Sequence, residues 1–95
     1  MIVRILTRAY RDMADIWNYV AQDSVVAADR VEDELFEAMK WLGENPGSGH
    51  QRRDVKDDRY RFWCAGSYLI AYRVKGTTLT VCRVIHSARD FGRLF

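Results

Sequence analysis

Apolar positions in the second half of the chain fall into three short runs. These runs are dense in β-branched and aromatic residues, which suit a pleated, half-buried surface. Two short turns, Ala65-Gly66 and Lys75-Gly76, separate the runs, and glycine tolerates the positive φ that tight hairpin turns require. The pattern predicts a three-stranded antiparallel meander with strands over residues 60–64, 68–74 and 79–85.

Apolar positions in the first half follow the helical period instead. They recur at intervals of three and four residues, which predicts one helix over residues 8–21 and a second over residues 24–42. The link between the helices is so short that they must pack side by side and antiparallel. The predicted buried stripes are Ala9, Met13, Ile16, Trp17 and Val20 in the first helix and Ala28, Val31, Leu35, Ala38, Met39 and Leu42 in the second, with Arg8, Arg11, Asp12, Asp15 and Asn18 on the polar side of the first.

The ends of both helices carry recognisable signals. Thr7 is expected to cap the first helix, and Asp23 or Ser24 the second, because their side-chain oxygens can accept a free N–H of the first turn. Gly43 follows the last apolar residue of the second helix, and Pro46 comes soon after it. This order is the usual stop pattern, so the second helix is expected to end before Gly43.

The remaining segments complete an α+β domain. A short apolar run over residues 2–6 predicts another strand, whose position in the sheet the pattern leaves open. Residues 43–58 are polar and form the one long irregular stretch. The order is thus β-α-α-β-β-β, and we expect one domain over residues 1–95 in which an antiparallel helical hairpin packs on one face of a twisted antiparallel sheet.

Composition narrows the class of protein. The chain has 95 residues, of which 48% are hydrophobic, and this is typical of a folded domain. No apolar run approaches the roughly 20 residues that span a bilayer, so we expect a cytoplasmic protein with no membrane contact. Cys64 and Cys82 lack metal-ligand spacing and are expected to be reduced core thiols. No phosphate-binding glycine loop or metal motif is present, and neither a metal nor a cofactor is expected.

The net charge of +2 hides an asymmetry. Residues 1–45 contain five Lys or Arg and nine Asp or Glu, whereas residues 46–95 contain ten and four. A basic face on a small domain can attract nucleic acid or an acidic protein. Alternatively, the basic residues form a solvated face that binds no partner, which would explain the same asymmetry of charge.

Arg61, Arg73 and Arg83 lie inside the predicted strands. If the helices cover one face of the sheet, these arginines would line the other and form a concave basic surface. Tyr60, Phe62, Tyr68 and Tyr72 would share it, where aromatic rings could stack on bases or pack against a partner helix. Alternate side chains of a strand point to opposite faces of the sheet, however, and one of these two sets must face the core. Some of these tyrosines are therefore expected to be buried.

Two histidines are candidates for chemistry. His50 lies in the irregular stretch and is expected to be solvated. His86 closes the last strand between Arg83 and Arg89, where it could act as a general acid or base in RNA cleavage. Alternatively, its ring donates to a backbone carbonyl and fixes the tail.

Two C-terminal motifs resemble the ParE branch of the RelE/ParE toxin superfamily of bacterial type II toxin–antitoxin systems. They are residues 66–73, GSYLIAYR, and residues 83–91, RVIHSARDF. The helices agree through residues 14–21, ADIWNYVA, then Ala27-Ala28, and then Leu42 followed by Asn45-Pro46-Gly47. The resemblance covers essentially the whole chain in the right order.

This resemblance implies a fold, a partner and a target. The fold is two antiparallel helices against a twisted antiparallel sheet. The partner is an acidic, partly disordered antitoxin that folds onto the toxin, which implies a hetero-oligomer. ParE members are understood to poison DNA gyrase, whereas RelE members cut mRNA on the ribosome. A third possibility is a chain that has lost toxicity and binds only its antitoxin and, through it, operator DNA.

The two branches of the superfamily assign different roles to the residues of the C-terminal half. In the nuclease alternative, Arg61, Arg83 and His86 would be catalytic. The tail carries Phe91 and Phe95 where a nuclease would use tyrosine, and phenylalanine has no hydroxyl to move a proton, so a gyrase inhibitor with no catalytic residue is favoured. The expected contacts with the target or antitoxin are Arg61, Tyr68, Arg73, Arg83, His86, Arg89, Phe91, Arg93 and Phe95.

Overall fold

A computed structural model describes residues 1–88 and shows two helices on one face of a four-stranded sheet. The predicted order β-α-α-β-β-β is confirmed. Arg89 to Phe95 lie outside the described residues. The elements are β1 (Ile2–Ile5), α1 (Thr7–Ala21), α2 (Val25–Glu44), β2 (Arg61–Ala65), β3 (Tyr68–Lys75) and β4 (Thr78–His86).

The sheet has the strand order β1-β4-β3-β2. The predicted antiparallel meander of β2, β3 and β4 is confirmed, and the glycines of its turns, Gly66 and Gly76, have φ of 61° and 59°. The strand β1, whose position the sequence left open, pairs with β4 in parallel, so the complete sheet is mixed. A parallel pair needs a long crossover, and the helical hairpin supplies it.

The larger core lies between the helices and the sheet. Both predicted helical stripes face it: Ala9, Met13, Leu35, Met39 and Leu42 are buried. The sheet contributes buried Ile70, Tyr72, Leu79, Val81 and Val84, with Val3, Ile5 and Trp63 packed against them. The prediction that some strand tyrosines are core residues is confirmed, because Tyr72 is fully buried.

Two of the predicted helix ends are wrong and one is confirmed. The Ser24 hydroxyl caps α2 by accepting the Ala27 N–H at 3.1 Å, as expected. Thr7 is already helical, and the cap position falls on Leu6, whose hydrocarbon side chain cannot accept an N–H and whose own N–H donates to the Val81 carbonyl of the sheet. Gly43 lies inside α2 rather than beyond it. A Cβ there would meet the Val3 Cγ2 at 2.6 Å, so glycine allows α2 to approach β1.

A second, smaller core covers the other face of the sheet. The irregular stretch after α2 returns across this face and places Val55 against it. The face is therefore not simply the solvated surface that the sequence indicated. Cys82 is buried, as expected, and burial raises the pKa of its thiol. Cys64 is exposed, so its assignment to the core is wrong. The second core contains Val55, Phe62, Leu69, Ala71 and Ile85, with Tyr60 packed against it.

Tyr72 fastens the start of this stretch to the sheet. Its hydroxyl donates to the Pro46 carbonyl at 2.9 Å and accepts the Gly49 N–H at 2.8 Å. Burial raises the pKa of Tyr72, so the phenol keeps its proton and remains a donor. Gly49 has to be glycine for this contact, because a Cβ would lie 2.7 Å from the Tyr72 Cε1.

Replacing the Tyr72 hydroxyl alone tests this attachment. Tyr72→Phe keeps the ring but leaves the Pro46 carbonyl and the Gly49 N–H without their partner. The free energy of unfolding should fall by about 1–3 kcal/mol, the cost of leaving a buried polar group unsatisfied. Urea unfolding measures it, with Tyr19→Phe as the control, since Tyr19 is 73% exposed. Equal stabilities of the two variants would contradict the role of the hydroxyl.

Candidate functional site

An ion pair joins α1 to β4 at the centre of the candidate region. The Arg83 Nε donates to the Asp12 Oδ2 at 2.8 Å, and its second nitrogen reaches the Asp12 Oδ1 at 3.2 Å. Both side chains are largely buried, at 14% and 7% exposure. Arg8 lies one helical turn before Asp12, with its Nε at 3.7 Å from the same carboxylate. Bidentate geometry of this kind fixes the orientation of both side chains.

The length of β1 explains why a carboxylate is needed here. The strand β1 ends at Ile5, opposite Val81, whereas β4 continues to His86. Beyond Val81, no strand among residues 1–88 therefore lies beside β4 on that side. The Asp12 Oδ2 accepts the Val84 N–H at 3.0 Å and so satisfies a backbone group that a longer β1 would have bound.

The sequence analysis did not predict this pair. Arg83 was expected on the face without helices, and Asp12 on the solvated side of α1. The register between β3 and β4 shifts at Ala71 and Tyr72, which leaves Cys82 as an extra residue. Arg83 is paired with Ala71, which packs in the second core, so its side chain starts from the face without helices, and its guanidinium group reaches Asp12 across the part of β4 that extends beyond β1. Asp12 had a signal, since it lies three residues after Ala9 at the margin of the apolar stripe.

A groove of about 500 Å³ lies beside this ion pair, between α1 and the ends of β3 and β4. His86 ends β4, as predicted, and its ring meets Tyr68 edge-on at 5.5 Å between centroids. The His86 Nδ1 accepts the Ala88 N–H at 3.1 Å rather than donating to a carbonyl. That nitrogen therefore carries no proton, and in a neutral ring the proton is on Nε2. The groove is lined by Arg8, Asp12, Asp15, Ile16, Tyr19, Tyr68, Val84, Ile85 and His86.

Arg61 and Arg73 do not join Arg83. The Arg61 side chain is on the helix side of β2, where its Nη1 donates to the Gly49 carbonyl at 3.2 Å. Arg73 is on the other face, 5.2 Å from the ring centroid of Tyr60. The predicted concave surface shared by three arginines is therefore wrong.

A different basic row crosses the face opposite the helices. Arg4 of β1 is paired with Thr80 of β4, and Thr80 is paired with Arg73 of β3. All three occupy the same face, because their neighbours along each strand pack against the helix-side core. Arg4 was missed, although the alternation of residues 2–6 placed it opposite Val3 and Ile5.

Part of the positive charge over residues 52–59 is neutralised locally. The Arg52 Nε lies 2.9 Å from the Asp54 Oδ1, and an Arg59 nitrogen lies 2.7 Å from the Asp57 Oδ2. Arg59 holds the pKa of Asp57 at about 2 by hydrogen bonding. The basic half of the chain is thus less uniformly positive than its composition indicated.

The remaining predicted site residues have simpler outcomes. Arg89, Phe91, Arg93 and Phe95 lie outside the described residues, so their assignment remains a prediction. His50 is exposed, and its backbone forms a bridge with Phe62. Within residues 1–88, no group of three His, Cys, Asp or Glu is placed to hold a metal ion. No helix in the same range is long and apolar enough to cross a membrane.

Comparisons with known proteins agree on one family. The profile of the family described as "ParE toxin of type II toxin-antitoxin system, parDE" matches residues 3–91. Toxin ParE1 of Caulobacter vibrioides is 34% identical over 89 residues, covering 92% of this chain and 90% of that protein. A solved chain of the chromosomal ParDE TA system from P. aeruginosa has a similar fold, with a TM-score of 0.74 at 22% identity, over 90% of this chain and 95% of that chain.

Removing the charge of Asp12 tests the ion pair. Asp12→Asn keeps the shape of the side chain but leaves Arg83 without its counter-charge. We expect the free energy of unfolding to fall by about 2–3 kcal/mol, below the range for fully buried pairs because Arg83 retains some exposure. Urea unfolding measures this loss.

The matched control is Asp15→Asn, which removes the same charge from an exposed position of α1. Combining Asp12→Asn with Arg83→Met should cost less than the sum of the two single changes. Additive losses, or equal stabilities of Asp12→Asn and the control, would contradict a specific pair.

Proposed function

Because the chain belongs to the ParE toxin family of type II toxin–antitoxin systems, we propose that it poisons DNA gyrase and that a cognate antitoxin neutralises it. The match of the family profile to residues 3–91 carries this proposal. Gyrase is the target that the ParE branch implies, and a gyrase target places the protein in the cytoplasm with the chromosome.

The alternative of an mRNA nuclease needs Arg61, Arg83 and His86 to converge. Arg61 pairs with Tyr72, and His86 pairs with Tyr68, so they lie four residues apart along β3. At about 3.3 Å per residue this separation is about 13 Å. Arg83 is bound by Asp12 between them and is not directed at either. A general acid and its charge-stabilising partners must reach one phosphate, and this arrangement favours a binding protein instead.

The antitoxin partner is supported by charge and by surface. Residues 46–95 are the basic part of the chain, and an acidic partner complements them. Several large apolar side chains are also exposed, including Phe36 at 40% and Ile2 at 65%. Exposed apolar side chains on a chain with a basic part suit an acidic partner that folds as it binds. We therefore propose that the resting form is a hetero-oligomer with the antitoxin.

A pair of assays separates gyrase from the ribosome. The purified chain is added to gyrase with relaxed plasmid, and in parallel to translating ribosomes on a defined mRNA. We expect supercoiling to be inhibited, or cleaved DNA to be trapped, while the mRNA remains intact. The antitoxin encoded beside this chain should reverse the effect. Cut mRNA with unaffected gyrase would overturn the proposal and make Arg61, Arg83 and His86 catalytic candidates.

The tail is our candidate for contact with the target. Deleting residues 89–95 removes two arginines and two phenylalanines, and we expect inhibition of gyrase to fall more than affinity for the antitoxin. Supercoiling assays and isothermal titration with the antitoxin measure the two effects. Leu94→Ala keeps both arginines and both phenylalanines and serves as the control. Lost antitoxin binding with intact inhibition would show that the tail has the opposite role.

A further inference from the structure

The basic row on the face opposite the helices joins three strands of the sheet. Arg4 of β1, Thr80 of β4 and Arg73 of β3 are paired side by side. Arg4 is exposed, whereas Arg73 and Thr80 are half-buried. Because neighbouring strands are about 4.8 Å apart, the backbones of the two arginines are about 10 Å apart. The threonine hydroxyl lies between the two positive charges.

A second row lies on the same face, two residues further along each strand. Thr78 of β4 is paired with Ile2 of β1 and with Lys75 of β3. Residues two apart in a strand share a face, so this row runs beside the first at a distance of about 7 Å. Lys75 is exposed, and Thr78 is half-buried. The basic and hydroxyl side chains of the two rows form what we term the Arg–Thr surface, which consists of Arg4, Arg73, Lys75, Thr78 and Thr80.

The described part of the chain leaves the positive charge of the Arg–Thr surface largely unneutralised. Within residues 1–88, neither Arg4 nor Lys75 forms an ion pair. Arg73 lies near Asp57, but the lowered pKa of that carboxyl, about 2, is due mainly to hydrogen bonds from Arg59, with a smaller contribution from the charge of Arg73. The surface therefore attracts anions from outside the described chain.

Protection of a sheet edge does not explain these charges. Basic side chains on an edge strand discourage pairing between copies, and this accounts for Arg4 alone. Arg73 and Lys75 belong to β3, which lies between β4 and β2 inside the sheet. Their position on an inner strand calls for another reason.

The residue types of the Arg–Thr surface suit phosphate groups better than a protein. The centres of protein interfaces are depleted in charged residues and rely on aromatic or other apolar anchors. Here threonines occupy the middle of both rows, and the apolar Ile2 lies at the margin of the sheet. Arginine, lysine and threonine side chains are common donors to the phosphate oxygens of DNA.

The aromatic ring nearest this surface is already covered. The Arg73 guanidinium lies 5.2 Å from the ring centroid of Tyr60, in a cation–π contact. Proteins that bind single strands use aromatic side chains on which bases stack. Because Arg73 covers the Tyr60 ring, this surface favours contact with a nucleic-acid backbone over contact with unpaired bases.

We propose that the Arg–Thr surface binds the phosphate backbone of double-stranded DNA without regard to sequence. The three basic side chains supply charge, and the two threonine hydroxyls donate to phosphate oxygens. Phosphates of one strand follow each other at about 3.4 Å along the duplex axis, so the row of about 10 Å spans about three of them. This inference goes beyond the proposed function, because the contact needs no gyrase and is available on any duplex.

Two charge variants and one neutral variant test the surface. Arg4→Gln and Lys75→Gln each remove one exposed charge, and Thr80→Val removes a hydroxyl at constant net charge. The controls are Arg11→Gln and Arg30→Gln, which remove one charge each from exposed positions of the helices. Each full-length variant is titrated against a labelled 20-base-pair duplex of mixed sequence at several salt concentrations. Urea unfolding verifies that each variant is folded.

We expect Arg4→Gln and Lys75→Gln to weaken duplex binding about tenfold each at 50 mM salt and to reduce the slope of log K against log salt by about 0.9. Thr80→Val should weaken binding about threefold. Both controls should bind as the unchanged chain does. An unchanged chain that binds no duplex at 50 mM salt, or equal losses in the variants and the controls, would overturn the inference. The proposed function would stand in either case, because the supercoiling assay tests it separately.

Two further probes distinguish other occupants of the Arg–Thr surface. If polyglutamate bound as tightly as the duplex and lost affinity in Arg4→Gln and Lys75→Gln, the surface would belong to an acidic protein. If a single strand of the same length bound more tightly than the duplex and depended on the same two residues, the surface would belong to unpaired nucleic acid. Either result overturns the inference, and preference for the duplex over both probes supports it.

Discussion

The architecture depends on a mismatch in strand length that one carboxylate resolves. The strand β4 is nine residues long and β1 is four, so the parallel pair cannot cover the whole of β4. Asp12 of α1 supplies the missing acceptor to the Val84 N–H and binds Arg83 in the same contact. Because the carboxylate lies on α1, this contact also fixes where the helix crosses the sheet. The groove beside His86 exists because the helix, rather than a strand, occupies that position.

The two faces of the sheet are covered by different means, and this difference determines what is left for partners. The helices bury one face with long apolar stripes, whereas the other is covered by an irregular stretch whose main apolar contribution is Val55. Tyr72 links the two layers, since its ring lies in the helix-side core and its hydroxyl holds Pro46 and Gly49. This second core runs from β2 through β3 to Ile85 of β4, and Arg4 of β1 stays exposed at the surface.

The sequence predicted the elements well because each has a clear period of its own. Residues 9, 13 and 16 mark one helical face, and the glycines at 66 and 76 mark both hairpins. Side-chain direction near the site was not predictable. A bulge at Cys82 adds one residue to a strand without any local signal, and Arg83 reaches Asp12 of α1 although its strand partner, Ala71, packs on the other face. The position of Gly43 likewise predicts the end of a helix, but the glycine is instead required by the close approach of Val3, forty residues away in the chain. Contacts between residues distant in the sequence determine the direction of Arg83 and the role of Gly43. The local sequence pattern does not reveal such contacts.

The parallel pairing of β1 with β4 also has a consequence for synthesis. Ile2 pairs with Thr78, so the first strand emerges from the ribosome long before its neighbour exists. At about 5–20 residues per second, the interval is several seconds. Closing so large a loop makes this pairing a late event in folding, after the helical hairpin can form from local contacts. A nascent chain therefore lacks its complete sheet until β4 has been translated, which delays assembly of any surface that includes β1 and allows a partner made earlier to be present first.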